Sequence, residues 1–168
     1  DMRDFHVNNK EDRNRFVRSL RRNYPSLFGD LDNEQIVLID TRELENPDKS
    51  AGKAHLGVHP NNARAMFRDA AWCNTGRYDR ENATTGPSRS SAEVIWSHIA
   101  RSFACVPVDK PLVFVFFCKS GNHRSVFSAR VFQEILFLNG FLASMFCASA
   151  GQTWNRTCQG VCDSCNYN

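Results

Sequence analysis

The chain has 168 residues, of which 42% are hydrophobic and 23% charged, with a formal net charge of +3. That is enough chain for one α/β domain with a real core, and too little charge to argue for nucleic acid by itself. No stretch approaches the ~18 consecutive apolar residues of a membrane span. No secretory signal pattern opens the chain. A removed targeting segment stays open, and so does the compartment, cytoplasmic or organellar.

In chain order, Lys10 to Arg22 reads as a helix with Phe16, Val17 and Leu20 on one face. Its run RNRFVRSLRR is strongly basic, which fits either a solvated face or a phosphate-rich partner. Tyr24-Pro25 and Gly29-Asp30 punctuate its end. Ile36 to Ile39 is a short continuous apolar run closed by Asp40, as in a buried parallel strand. Residues 41–62 are polar and mostly loop, and Ala63 to Trp72 reads as a short helix. Residues 73–90 lack apolar periodicity and read as a long surface loop, a feature that in compact domains is functional or disordered. Ser91 to Cys105 has helical spacing, with Val94, Ile95, His98, Ile99 and Phe103 recurring and His98 expected in the core. Leu112 to Phe117 is the clearest strand. Ser125 to Leu138 is a well-buried helix stopped by Asn139-Gly140. Phe141 to Phe146 reads as a third strand, and Gln152 to Asn155 as a single helical turn. Strands alternating with helices predict an α/β fold with an open, mostly parallel sheet flanked by helices. Three parts follow: a basic N-terminal helical segment over residues 1–30, one domain over 31–157, and a cysteine-rich tail over 158–168.

The most informative stretch joins the clearest strand to the buried helix through Cys118-Lys119-Ser120-Gly121-Asn122-His123-Arg124-Ser125. Ligands of open α/β sheets bind beyond the carboxyl ends of the strands, where Cys118 stands. Backbone N–H groups of a short loop and of a helix N-terminus favour an anion, and the same field favours a thiolate. Gly121 permits the turn, and Arg124 is placed for a bidentate contact with an oxyanion. Ser125 can cap the helix or donate to the sulfur. Lys119 and His123 add positive charge at the rim. The bland alternative is a buried strand-end cysteine followed by a helix-start arginine.

The Cys-x2-Gly-x2-Arg-Ser spacing resembles the phosphate-binding signature of cysteine-dependent phosphatases. More of the chain, from Ile36 to Gly160, resembles the rhodanese superfamily. Val37 to Glu43 (VLIDTRE) is similar to the strand and Asp-x-Arg opening of rhodanese domains. Gly52 to Pro60 resembles their His-Ile-x-Gly-Ala segment, one residue tighter. Asn139 to Trp154 is similar to their closing Gly-Phe, strand, Gly-Gly and Trp pattern, with Gly151 at the second glycine and Ala150 replacing the first. The resemblance implies a rhodanese-like sheet, Cys118 as nucleophile and the loop N–H groups as oxyanion cradle. Asp40, Arg42, Gly151 and Trp154 would be structural. Sulfurtransferase loops of this superfamily are one residue shorter between Cys and Arg. The longer loop resembles rhodanese-fold phosphatases and arsenate reductases, which follow the Arg with Gly-Pro where this chain has Ser125-Val126. A second resemblance is to the C-terminal domain of RapZ-type RNase adaptors, carried by Gly121 to Val126 (GNHRSV), by Asp40 and Arg42, and by Asn46-Pro47. Those domains bind RNA and a sugar phosphate, which would make Arg124, His123 and the basic helix phosphate contacts.

These readings lead to a thiolate-dependent transfer enzyme, a sulfurtransferase with a persulfide intermediate or a related phosphatase or arsenate reductase. Its substrate is a small anion of the thiosulfate, phosphate or arsenate type, and it requires no cofactor. The alternative is a non-catalytic phosphate-, RNA- or partner-binding module, with the long loop and the tail as docking surfaces in a larger assembly. The chain holds seven cysteines. Setting Cys118 aside leaves an even number, compatible with disulfides, free thiols or a resolving cysteine. Cys147, Cys158, Cys162 and Cys165 are candidates for a structural zinc site, although only one Cys-x2-Cys pair is present. His55 and His59 are loop histidines able to act as acids or substrate contacts, and Asp48 and Asp69 are candidate general acids. Asn82-Ala83-Thr84 and Asn155-Arg156-Thr157 are glycosylation-type triplets.

Overall fold

The structure is a computed structural model that describes residues 5–42, 44, 55–68, 91–107, 109–119, 121, 123–148, 157–158 and 162–165. Its helices are α1 (Lys10–Asn23), α2 (Pro25–Phe28), α3 (Pro60–Arg68), α4 (Ser91–Cys105) and α5 (Arg124–Leu138), with a 3-10 turn at Asn33–Gln35. The strands are β1 (Ile36–Asp40) and β2 (Val113–Phe117), which form a two-stranded parallel sheet. The chain is therefore mixed α/β. It divides into two compact units, each discontinuous in sequence: residues 1–39 with 95–115, and residues 40–94 with 116–168.

In the first unit, α1 starts where Asn9 accepts hydrogen bonds from the N–H groups of Glu11 (2.9 Å) and Asp12 (3.2 Å). Acidic residues follow in its first turn, and Arg21 and Arg22 occupy its last, as the helix dipole favours. Val17 and Leu20 are buried. The basic face is partly committed to the fold. Arg13 donates to the Ile36 carbonyl, Arg21 donates to the Leu31 carbonyl, and Arg15 pairs with Asp12. Asn9→Ala is expected to cost about 1 kcal/mol, read as a lower denaturation midpoint with an unchanged slope. Buried Gln35 donates to the Pro111 carbonyl (2.8 Å) and accepts from the Asp32 N–H (2.9 Å), tying the starts of the two strands. On α4, Ile95 and Ile99 are buried, with Val106 beyond the helix end. His98 is exposed rather than in the core, because the buried stripe runs through Ile95 and Ile99 and leaves it at the edge.

In the second unit, the buried N–H and hydroxyl of Thr41 both donate to the Phe117 carbonyl, at 2.9 and 2.8 Å. This holds the chain leaving β1 against the end of β2. Helix α3 packs on α5, and Phe67 meets Phe127 edge-on with ring centroids 4.9 Å apart. Phe116 stacks on Phe132 at 5.9 Å. Gly140, at φ 83°, closes α5, with its own N–H on the Phe137 carbonyl and the Phe141 N–H on the Leu136 carbonyl.

Residues 141–147 form no strand, contrary to the expectation for Phe141 to Phe146. Their alternating side chains explain both the expectation and the outcome. Met145 and Cys147 pack against a cluster of Leu56, Val126 and Cys165, while Leu142 is 100% exposed. The inward residues are taken by a side-chain cluster instead of a β-ladder. The expected Gln152–Asn155 turn and the 73–90 loop lie outside the described residues. No described helix is long and apolar enough to cross a membrane.

Candidate functional site

Strand β2 ends in buried Phe117 and delivers Cys118, 6% exposed, to the start of the loop. Gly121 adopts φ 68°, a conformation that glycine reaches at little cost. Its N–H thereby donates to Cys118 Sγ at 3.2 Å. On the far side of the loop, buried Ser125 in the first turn of α5 places Oγ 3.3 Å from the same sulfur. A loop N–H and a helix-start hydroxyl thus converge on Sγ.

Arg124 is divided between two tasks. One guanidinium nitrogen, Nη1, donates to the carbonyls of Arg42 and of Leu44, the latter at 2.9 Å. Its Nε is a buried donor with no acceptor among the described residues. An orphaned donor of this kind costs free energy until an acceptor arrives. Asp40 and Arg42 form a forked ion pair at the end of β1, with Nε contacts of 2.9 and 3.0 Å, and the Arg42 guanidinium lies over the Phe117 ring. His123 precedes α5, and its side chain does not cap that helix. Its Nε2 lies 3.0 Å from the His55 carbonyl. Lys119 is exposed at the rim. Ser120, Asn122, Gly151, Trp154, Asp48, Asp69 and both glycosylation-type triplets lie outside the described residues.

A second group of chemically competent side chains lies in the same unit. His55, Cys158, Cys162 and Cys165 bring one ligand atom each to within 4.8 Å of one another, a set able to bind a metal. Cys162 Sγ lies 3.4 Å from His55 Nδ1 and 3.5 Å from Cys158 Sγ, and Cys165 Sγ lies 3.8 Å from the same nitrogen. Burial pushes the Cys165 thiol up to about 12; a backbone bond from Leu56 opposes this and the neighbouring thiols add to it. His59 stacks on His55 with centroids 4.0 Å apart. Desolvation, then the nearby His55, holds His59 below the usual imidazole range.

Three of the four thiols expected to share a site are together here. Cys147 instead packs against the apolar cluster beside them, where burial pushes its thiol up. His55 takes the fourth place. Its partner Cys162 is 107 residues away in sequence, so no local spacing could announce the pair. The described cysteines, Cys105, Cys118, Cys147, Cys158, Cys162 and Cys165, form no disulfide with one another.

No protein-family model, no curated protein and no solved structure matches this chain.

Proposed function

We propose that residues 118–125 form an oxyanion cradle in which Cys118 acts as a thiolate nucleophile, making this a cysteine-dependent transfer enzyme of the rhodanese-like kind. The observation that carries the reading is the pair of contacts on Cys118 Sγ, from the Gly121 N–H at 3.2 Å and from Ser125 Oγ at 3.3 Å. Such contacts favour the thiolate and aim it. The buried Arg124 Nε, without an acceptor, gives an incoming oxyanion a donor that no other described group uses. With thiosulfate, Sγ attacks the outer sulfur, the sulfur–sulfur bond breaks, and sulfite leaves with the electron pair. The Cys118 persulfide then passes its outer sulfur to an acceptor thiolate. With a phosphate ester, Sγ displaces the alcohol leaving group, and water then attacks the phosphorus of the Cys118 thiophosphate, releasing inorganic phosphate and the thiolate. With arsenate, Sγ displaces hydroxide, and two external thiols supply the two electrons that release arsenite, leaving as a disulfide and returning the Cys118 thiolate. The chain supplies the nucleophile and the donors of these routes.

A second reading is a binding module that holds a phosphate on RNA, on a sugar or on a partner without turning it over. It is favoured by the burial of Cys118 and by the commitment of Arg124 Nη1 to two carbonyls. One experiment separates them. Wild type and Cys118→Ser are assayed with thiosulfate, an aryl phosphate and arsenate, and iodoacetamide alkylation is followed at pH 6. Turnover and fast alkylation by wild type alone are expected, with a loss of at least about 1,000-fold in the variant. No turnover with any of the three, together with phosphate binding that survives Cys118→Ser, would overturn the enzyme reading in favour of the module.

A further inference from the structure

We propose that His55, Cys158, Cys162 and Cys165 bind one zinc ion in a closed, tetrahedral, structural site that fastens the cysteine-rich tail to the loop beside the cradle. The donor set is three soft thiolates and one imidazole, the combination zinc takes in structural sites. The spacing agrees in number as well as in kind. With Zn–S of about 2.3 Å and Zn–N of about 2.0 Å, a tetrahedron has sulfur–sulfur edges of about 3.8 Å and sulfur–nitrogen edges of about 3.5 Å. Three of the six edges are 3.5 Å between the sulfurs of Cys158 and Cys162, and 3.4 and 3.8 Å from His55 Nδ1 to the sulfurs of Cys162 and Cys165, and all six lie within 4.8 Å.

The surroundings are those of a metal site. The Cys165 N–H donates to the Cys162 carbonyl at 2.9 Å, which closes the turn that carries both ligands. Leu56 and Val126 form a buried apolar floor, with Val58 and Met145 packed beside it. A disulfide accounts for less. It needs a sulfur–sulfur distance of about 2.05 Å, and it would join one pair while leaving the third thiol and the imidazole aimed at the same point. Zinc displaces the protons of the three thiols to solvent and turns the cluster into a cross-link.

The cross-link bears on the cradle through one residue. The His55 carbonyl faces His123 Nε2, so the residue that would hold the metal also positions the residue preceding α5. Zinc binding is independent of the proposed chemistry at Cys118 and is measured without substrate, so either can fail while the other stands.

The full chain, purified under reducing conditions without chelator, is expected to carry about one zinc per molecule by elemental analysis. His55→Ala and Cys162→Ser should weaken zinc binding by more than about 100-fold, while Cys147→Ser and Cys105→Ser keep it. Should those variants fold poorly, cobalt(II) added to demetallated wild type gives a second readout: intense visible d–d bands with thiolate-to-cobalt charge transfer. Full zinc retention by His55→Ala, loss of zinc in Cys147→Ser with retention in His55→Ala, a weak octahedral cobalt spectrum, or a Cys158–Cys162 disulfide in metal-free folded protein would each overturn the assignment.

Discussion

Gly57→Ala should destabilise the second unit by about 3 kcal/mol, far more than a single methyl group costs at an open site. A Cβ on Gly57 would stand 2.0 Å from the His123 carbonyl oxygen, 2.8 Å from its carbon and 2.9 Å from the Phe127 nitrogen. Those atoms belong to one hydrogen bond, Phe127 N–H to His123 C=O at 2.8 Å, which closes the first turn of α5. All three are backbone, so no flexible side chain can yield. Either the loop over residues 55–59 lifts or the first turn opens, and both outcomes disturb the segment that carries Arg124 and Ser125. Gly140→Ala is the control. Its φ of 83° strains an alanine, but nothing lies within 4 Å of the new atom, so the cost stays near the ~1 kcal/mol of a left-handed backbone. Urea denaturation of the two variants beside wild type checks the contrast, and equal midpoints for Gly57→Ala and Gly140→Ala would refute it.

Phe127→Ala is expected to cost about 3–5 kcal/mol, from lost transfer free energy and the cavity left behind. The side chain is 2% exposed, lies in the first turns of α5, and meets Phe67 edge-on. It joins α5 to α3 through Phe67, so its removal leaves a cavity where the two helices meet. Against a total stability of about 5–15 kcal/mol, a fifth or more is lost, and the thermal midpoint should fall by about 10 °C. Phe137, on the same helix but 65% exposed, provides the comparison. Phe137→Ala should change stability by under about 0.5 kcal/mol. A calorimetric or circular-dichroism melt of both variants decides the matter; similar midpoints would mean that burial on α5 is not what holds this unit.

The two proposals lie in one unit but differ in how much of each was legible. The cradle is local in sequence. Cys118, Gly121, Arg124 and Ser125 fall within eight consecutive positions, so the run from apolar strand to glycine turn to amphipathic helix was enough to bring them to one place. What that run did not convey is where Arg124 spends its donors. The carbonyls of Arg42 and Leu44 that it binds lie 82 and 80 residues earlier. The metal-ligand group is the opposite case. The tail's Cys-x3-Cys-x2-Cys spacing marked three candidate ligands, but the fourth member of the cluster comes from a distant loop and is a histidine, while the thiol of Cys147 packs into the apolar cluster.

Periodicity and punctuation by themselves determined α1, α4, α5 and both strands nearly to the residue, because these elements follow from local side-chain patterns and from stops such as Asn139-Gly140. Tertiary structure alone decided that residues 141–147 spend their alternating pattern on a side-chain cluster rather than a ladder, that His98 sits at the edge of its helix stripe, and that Gly57 must lack a side chain. The reason is the same in each case: alternation, helical spacing and a glycine state what a segment can bury or allow, and only the partner that arrives from elsewhere in the chain selects among those options.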